Sequence, residues 1–209
     1  MAALGLIPVI VLAAGKSTRM GRAKASYPLG GGETFLTRIV RTFLDAGIDD
    51  VVVVVGQGAD IVMTDFAASG LPARFVENRG YEAGQLSSLV AGLRFVDRPG
   101  VAASLVTLVD VPFVSRSTVR AVVDSYRETH ARIVRPTRGN DHGHPLLIDR
   151  SLFDVFSRAD PFQGAKPVVR AHATAAGNIP VDDEGAFADI DTLEDYERWV
   201  RGPGHGESS

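Results

Sequence analysis

An apolar, β-branched run from Ile7 to Leu12 passes without a break into Ala13, Ala14 and Gly15, and this junction constrains the fold more than any other stretch. Such a run suits a strand buried on both faces, as in a parallel sheet covered by helices. The small residues that follow let a backbone approach a ligand closely, and successive amide N–H groups there can face phosphate oxygens. Arg19 and Lys24 supply two cations. The stretch reads as a loop that grips a nucleoside triphosphate, with fixed positive charge for its phosphates.

Two other phosphate motifs are excluded. Gly15-Lys16-Ser17 looks like the end of a P-loop, but Ile10 stands where that pattern needs a glycine. Gly56-Gln57-Gly58 follows the strand-like Val51 to Val55, yet Ile61 occupies the third glycine position of a dinucleotide fingerprint. It reads as a plain strand-to-helix turn.

Helical spacing of Phe35, Leu36, Ile39, Val40, Phe43 and Leu44 predicts a helix over 34–46, stopped by Gly47. A strand over 50–55, a helix over 59–68 closed by Gly70, and a strand over 73–77 follow. After a polar stretch from Asn78 to Gly84, the helical pattern resumes from Gln85 to Phe95. Strands over 104–109 and 133–136 enclose a helix with Ser115 or Ser117 as its cap. The alternation predicts an α/β fold in three layers, with a mostly parallel central sheet and ligands beyond the C-terminal strand ends. Asp110 stands at such a strand end, where a carboxylate can bridge a hard divalent cation to phosphate oxygens; as a plain turn former before Pro112 it has a structural use too.

Leu12, Ala13, Ala14, Gly15, Ser17, Arg19, Met20, Gly21 and Lys24 together resemble the signature L-A-A-G-x-S-x-R-M-G-x-x-K of the MobA-like nucleotidyltransferases. Ala23 departs from it, since many relatives carry proline there. The resemblance runs on to Asp195 with its motifs in order, and it implies a Rossmann-like nucleotidyltransferase fold. It implies nucleotide binding by Leu12, Ala13, Ala14, Gly15, Ser17, Arg19 and Lys24, and by Asn78, Gly84, Ser87 and Ser88 of a second motif. Arg19, Lys24 and Asp110 become the catalytic set, and Mg²⁺ the expected cofactor. Gly143-His144-Pro145 resembles an element beside the acceptor, although His144 could equally be a neutral residue satisfied by loop carbonyls. Gly164-Ala165-Lys166 matches an acceptor segment in part, with Lys166 in place of an arginine whose bidentate fork it cannot reproduce. Asp189 and Asp191 lie in a segment similar to D-I-D-T-x-E-D, and one of them is expected to complete a metal site with Asp110. Thr192 and Asp195 form a capping pair for the last helix.

Within the family, the A-A-G loop and the G-H-P element look more like molybdenum cofactor cytidylyltransferase than the guanylyltransferase. The implied reaction is transfer of CMP from CTP to molybdenum-bound molybdopterin with release of pyrophosphate. The alternatives are transfer to a sugar or alditol phosphate, and a non-catalytic partner that hands the cofactor to a molybdenum hydroxylase. No redox motif is found.

Composition narrows the setting. A chain of 209 residues suits one domain over 1–201, and the Gly/Ser-containing tail 202–209 is expected to be disordered. A formal net charge of -3 gives no electrostatic reason to expect nucleic acid. The apolar runs are too short to cross a membrane, and the absence of cysteine rules out disulfides and thiolate chemistry and fits a cytoplasmic setting.

Overall fold

The computed structural model describes residues 5–15 and 23–201, with the side chain of Arg201 outside the description. Its centre is four parallel strands: β1 (Val9–Ala13), β4 (Val51–Val55), β5 (Arg74–Glu77) and β6 (Ala103–Leu108). They lie in the order β6-β1-β4-β5. Register places Val11 beside Val53 on one side and Thr107 on the other, so the C-terminal ends of these strands finish together. Beyond β6 the sheet continues through β9 (Leu146–Asp149), β7 (Ile133–Arg138) and β10 (Asn178–Pro180). Strand β9 runs antiparallel to both of its neighbours. The two-residue β8 (Asp141–His142) folds back on β7, and β2 (Pro28–Gly30) with β3 (Glu33–Thr34) makes a separate hairpin.

The period of two along each strand divides the core between the sheet's faces. Val9, Val11, Val51, Val53 and Val55 pack with α1 (Phe35–Asp45), α2 (Ala59–Ala67) and α4 (Arg116–Thr129). Ile10, Leu12, Val52 and Val54 pack with α3 (Gln85–Val96), α5 (Phe153–Ser157) and α6 (Lys166–His172). Both faces are therefore covered, as the unbroken apolar runs require. Helix α7 (Leu193–Arg201) follows the acidic segment near the C-terminus, and Thr192 and Asp195 bond reciprocally at its start.

Local signals explain the boundaries. Thr34 and Thr37 form a reciprocal cap at the start of α1, and Gly47 takes the left-handed conformation just past its end. Gly58 caps α2 with φ 74°, which fits the turn reading of Gly56-Gln57-Gly58. The sequence pattern does not mark β9, because Leu146 to Ile148 is too short an apolar run to separate strand from loop or to give a direction.

Gly92 sets how closely α3 approaches the sheet. A Cβ there would lie 2.6 Å from Ile10 Cγ2 and 3.1 Å from Val54 Cγ2. Gly92→Ala gains about 1 kcal/mol of helix propensity but must overpack the core, at about 1–3 kcal/mol. A lower melting temperature is the expected net result. A raised one in a thermal melt would contradict this close packing.

Candidate active site

The C-terminal strand ends open into a cleft of about 420 Å³. Leu12, Ala14 and Gly15 form its floor, continuing from β1. Parity places Ala13 on the opposite face, where its methyl packs into the core beneath α1. No atom lies within 4 Å of a Cβ built on Gly15, so glycine leaves open space here for a ligand rather than for a neighbouring side chain. Ser17 and Arg19 lie outside the described residues, as does the tail 202–209.

A second wall comes from the segment between β5 and α3. The Asn78 amide donates to Ser87 Oγ (2.8 Å) and Ser88 Oγ (3.0 Å), while its carbonyl oxygen accepts from the Gly80 N–H. Asn78 thus folds the loop from within. Ser87 donates to the carbonyls of Gly80 and Gly84, and Ser88 reaches the cleft. Gly84, at φ 100°, makes the turn into α3 and brings no side-chain cap to the helix start. Tyr81, Glu82 and Gln85 also line the cleft. Tyr81 lies between Asn78 and Gly84 of the second motif, whereas only their place at the helix entry marks Glu82 and Gln85 in the sequence.

The third wall carries the charge. Lys24 opens a short 3₁₀ turn, and its side chain is 14% exposed. Its ammonium lies 3.3 Å from Asp110 Oδ2 and 2.5 Å from Asp191 Oδ1. This contact joins the signature loop, the end of β6 and the C-terminal acidic segment, which are far apart in sequence. Asp110 Oδ1 is buried and has no hydrogen-bond partner among the described residues. Asp189 is an exposed residue that does not line the cleft, yet desolvation by the protein around its carboxyl pushes its pKa up, and the charges of Asp110 and then Asp191 push it further. His144 and Lys24 oppose that shift. Like charges crowd this corner, and a cation would relieve them.

His144 sits beside the same carboxylates. Burial pushes its pKa down, against the opposing pull of the Val106 carbonyl and of Asp189 and Asp110, which keeps the imidazole neutral near neutral pH. Its Nδ1 is 3.5 Å from Val106 O, a long contact, while its backbone N–H donates to Ala186 O at 2.8 Å. Lys166 is exposed at the first position of α6 and is not among the residues that line the cleft.

Among the described residues, no three His, Asp or Glu side chains are arranged as a closed metal-binding set. The orphaned Asp110 oxygen and the crowded carboxylates nevertheless fit a hard cation that takes its remaining ligands from phosphate and water. No helix among the described residues is long and apolar enough to cross a membrane.

A parallel sheet whose strand ends bring a small-residue loop, a half-buried lysine and carboxylates to one cleft is the construction of a nucleotidyltransferase. The chain belongs to the MobA-like NTP transferase domain family, whose model matches residues 9–176. It is 31% identical to a probable molybdenum cofactor guanylyltransferase of Mycobacterium ulcerans over 199 residues, 94% of each chain. It is also 31% identical to the nicotine blue oxidoreductase of Paenarthrobacter nicotinovorans over 196 residues, 90% of this chain and 94% of that one. The crystal structure of Rv0371c from Mycobacterium tuberculosis superposes with a TM-score of 0.79 at 27% identity, covering 94% of this chain and 98% of that one. Rv0371c has also been solved in complex with manganese.

Proposed function

We propose that this protein transfers a nucleotidyl group from CTP to the terminal phosphate of a molybdopterin-type acceptor, releasing pyrophosphate. The bridge from Lys24 to Asp110 and Asp191 at the mouth of the cleft carries this reading, because it gathers cation and carboxylates where a triphosphate would lie. A phosphate monoester has a second pKa near ~6 and is largely dianionic at neutral pH, so it attacks the α-phosphorus without help from a protein base. The new bond joins acceptor oxygen to α-phosphorus, and the bond to the β-phosphate oxygen breaks. Lys24, the loop amides and, by family resemblance, Arg19 hold the triphosphate in line and neutralise the charge that grows on the departing pyrophosphate.

Asp110 with Asp189 or Asp191 would hold Mg²⁺, which when bound supplies further charge neutralisation at the phosphates. The manganese complex of Rv0371c supports a divalent ion for this chain. The reference to a molybdopterin acceptor is supported by the name of the Mycobacterium ulcerans relative. That name also specifies guanylyl transfer. CTP is preferred here because Ala14, which lines the cleft, packs tightly on Gly56 beside Tyr81: a Cβ on Gly56 would meet Ala14 Cβ at 3.1 Å and the Tyr81 ring at 2.9 Å. A methyl at that place would leave less room for a purine base than for a pyrimidine.

Pyrophosphate release from each of the four NTPs, with molybdenum cofactor and with several sugar phosphates as acceptors, tests both halves of the proposal. The expected result is turnover with CTP and molybdenum cofactor exceeding every other pair. Equal or greater turnover with GTP would overturn the cytidylyl assignment, and a sugar phosphate as the best acceptor would overturn the molybdopterin assignment.

A further inference from the structure

Asp183 belongs to no motif considered so far, yet it joins the two segments that carry the acidic side chains of the site. Its Oδ2 accepts from the Ser115 N–H at 2.9 Å, the Ser115 hydroxyl at 2.8 Å and the Thr118 hydroxyl at 2.6 Å, all at the start of α4. Its Oδ1 accepts from the Gly185 N–H at 3.1 Å, at the start of the 3₁₀ turn Glu184–Phe187. One carboxylate thus ties the chain just after Asp110 to the chain just before Asp189.

The turn that Asp183 anchors has little freedom. A Cβ on Gly185 would lie 2.0 Å from the Phe113 carbonyl oxygen, so the two backbones are pressed together. Ala186 is fully buried and accepts the His144 N–H, and a Cβ on Gly143 would lie 2.5 Å from that same carbonyl oxygen. Four residues later the Ile190 N–H donates to the Asp110 carbonyl at 2.8 Å. Residues 183–190 form a bracket with Asp183 at one end, the Asp110 backbone at the other, and Asp189 and Asp191 on either side of that second tie.

We propose that Asp183 is a positioning residue that fixes the separation between the Asp110 carboxylate and those of Asp189 and Asp191. The proposal rests on the reading of those carboxylates as a cation site. Asp183 itself touches no reacting group. It acts through the turn, and loosening that tie lets the second set of ligands drift. Carboxylates placed behind metal ligands in this way typically tune affinity by about 10–100-fold.

Asp183→Asn separates this role from simple helix capping. The amide oxygen can still accept from Ser115 and Thr118, but the amide nitrogen then faces the Gly185 N–H, donor against donor. Ser115→Ala is the converse: it removes the capping hydroxyl and leaves the tie to Gly185. Mn²⁺ binding to the full chain, measured by electron paramagnetic resonance with and without CTP, is compared with thermal melting for both variants. The expected result is a Kd for Mn²⁺ raised about tenfold in Asp183→Asn, and one unchanged in Ser115→Ala despite a lower melting temperature. Mn²⁺ affinity within twofold of wild type in Asp183→Asn would overturn the proposal. So would an affinity loss in Ser115→Ala that follows its loss of stability. Absence of Mn²⁺ binding by the wild-type chain in both conditions would overturn the cation reading itself, and the positioning role with it.

Discussion

Asp110→Asn is expected to fold normally and to lose nucleotidyl transfer by about 10²-fold or more. The side chain contributes little to stability: among the described residues Oδ1 has no hydrogen-bond partner, and Oδ2 accepts one long contact from the Lys24 ammonium at 3.3 Å. The structural tie at this residue is its backbone carbonyl, which accepts from Ile190, and asparagine keeps it. Removing the charge also eases the repulsion that pushes the Asp189 pKa up. Melting temperature should therefore hold while transfer falls, because the charge proposed to hold a cation at the phosphates is gone. Partial rescue by raised Mg²⁺ or by Mn²⁺ should accompany the loss. A folded variant with near-normal turnover at limiting Mg²⁺ would reduce Asp110 to a turn former.

Lys24→Met is expected to act in two opposite directions. With the ammonium gone, charge on the departing phosphates is less well stabilised, and kcat should fall on the order of 10²–10³-fold, as when one preorganised donor is removed. The same ammonium lies between Asp110 and Asp191, where its charge would oppose that of a metal ion held by those carboxylates. Its removal should tighten Mn²⁺ binding several-fold, measured without nucleotide. A lower kcat together with a lower Mn²⁺ Kd fits a lysine whose charge serves the phosphates and opposes a cation at the same carboxylates. An unchanged kcat with only a raised KM for nucleotide would instead confine Lys24 to ground-state binding.

Much of the scaffold was legible because its signals are local and repeated. Val51 to Val55 is an unbroken β-branched run that marks a doubly covered strand by itself, whereas its register, with Val53 beside Val11, is set only in the fold. Thr34, Gly47 and Gly70 mark helix ends through chemistry carried within a few residues. The reach of Lys24 to Asp191 is different in kind. It spans 167 positions, and spacing alone gave no preference between Asp189 and Asp191. The structure pairs Asp191 with the lysine and gives Asp189 the raised pKa, two distinct environments for residues that look equivalent in the sequence. Asn78 shows the converse: a polar residue in a motif resembling a nucleotide contact, whose side-chain hydrogen bonds go to Gly80 and to Ser87 and Ser88 at the start of α3. Asp183 was illegible because an aspartate before Glu-Gly reads as an ordinary turn residue, and its partners Ser115 and Thr118 are brought to it only by the fold.

This cleft is proposed to move a nucleotidyl group onto a phosphate. Incubation of the protein with CTP labelled at the α-phosphorus, Mg²⁺ and molybdenum cofactor tests it directly, with chromatographic separation of the products. The expected result is label joined to the acceptor, one pyrophosphate released for each group transferred, and neither product from Asp110→Asn above about one hundredth of the wild-type rate. Cofactor that is bound and recovered without label, with no pyrophosphate released from CTP or any other NTP, would contradict the account.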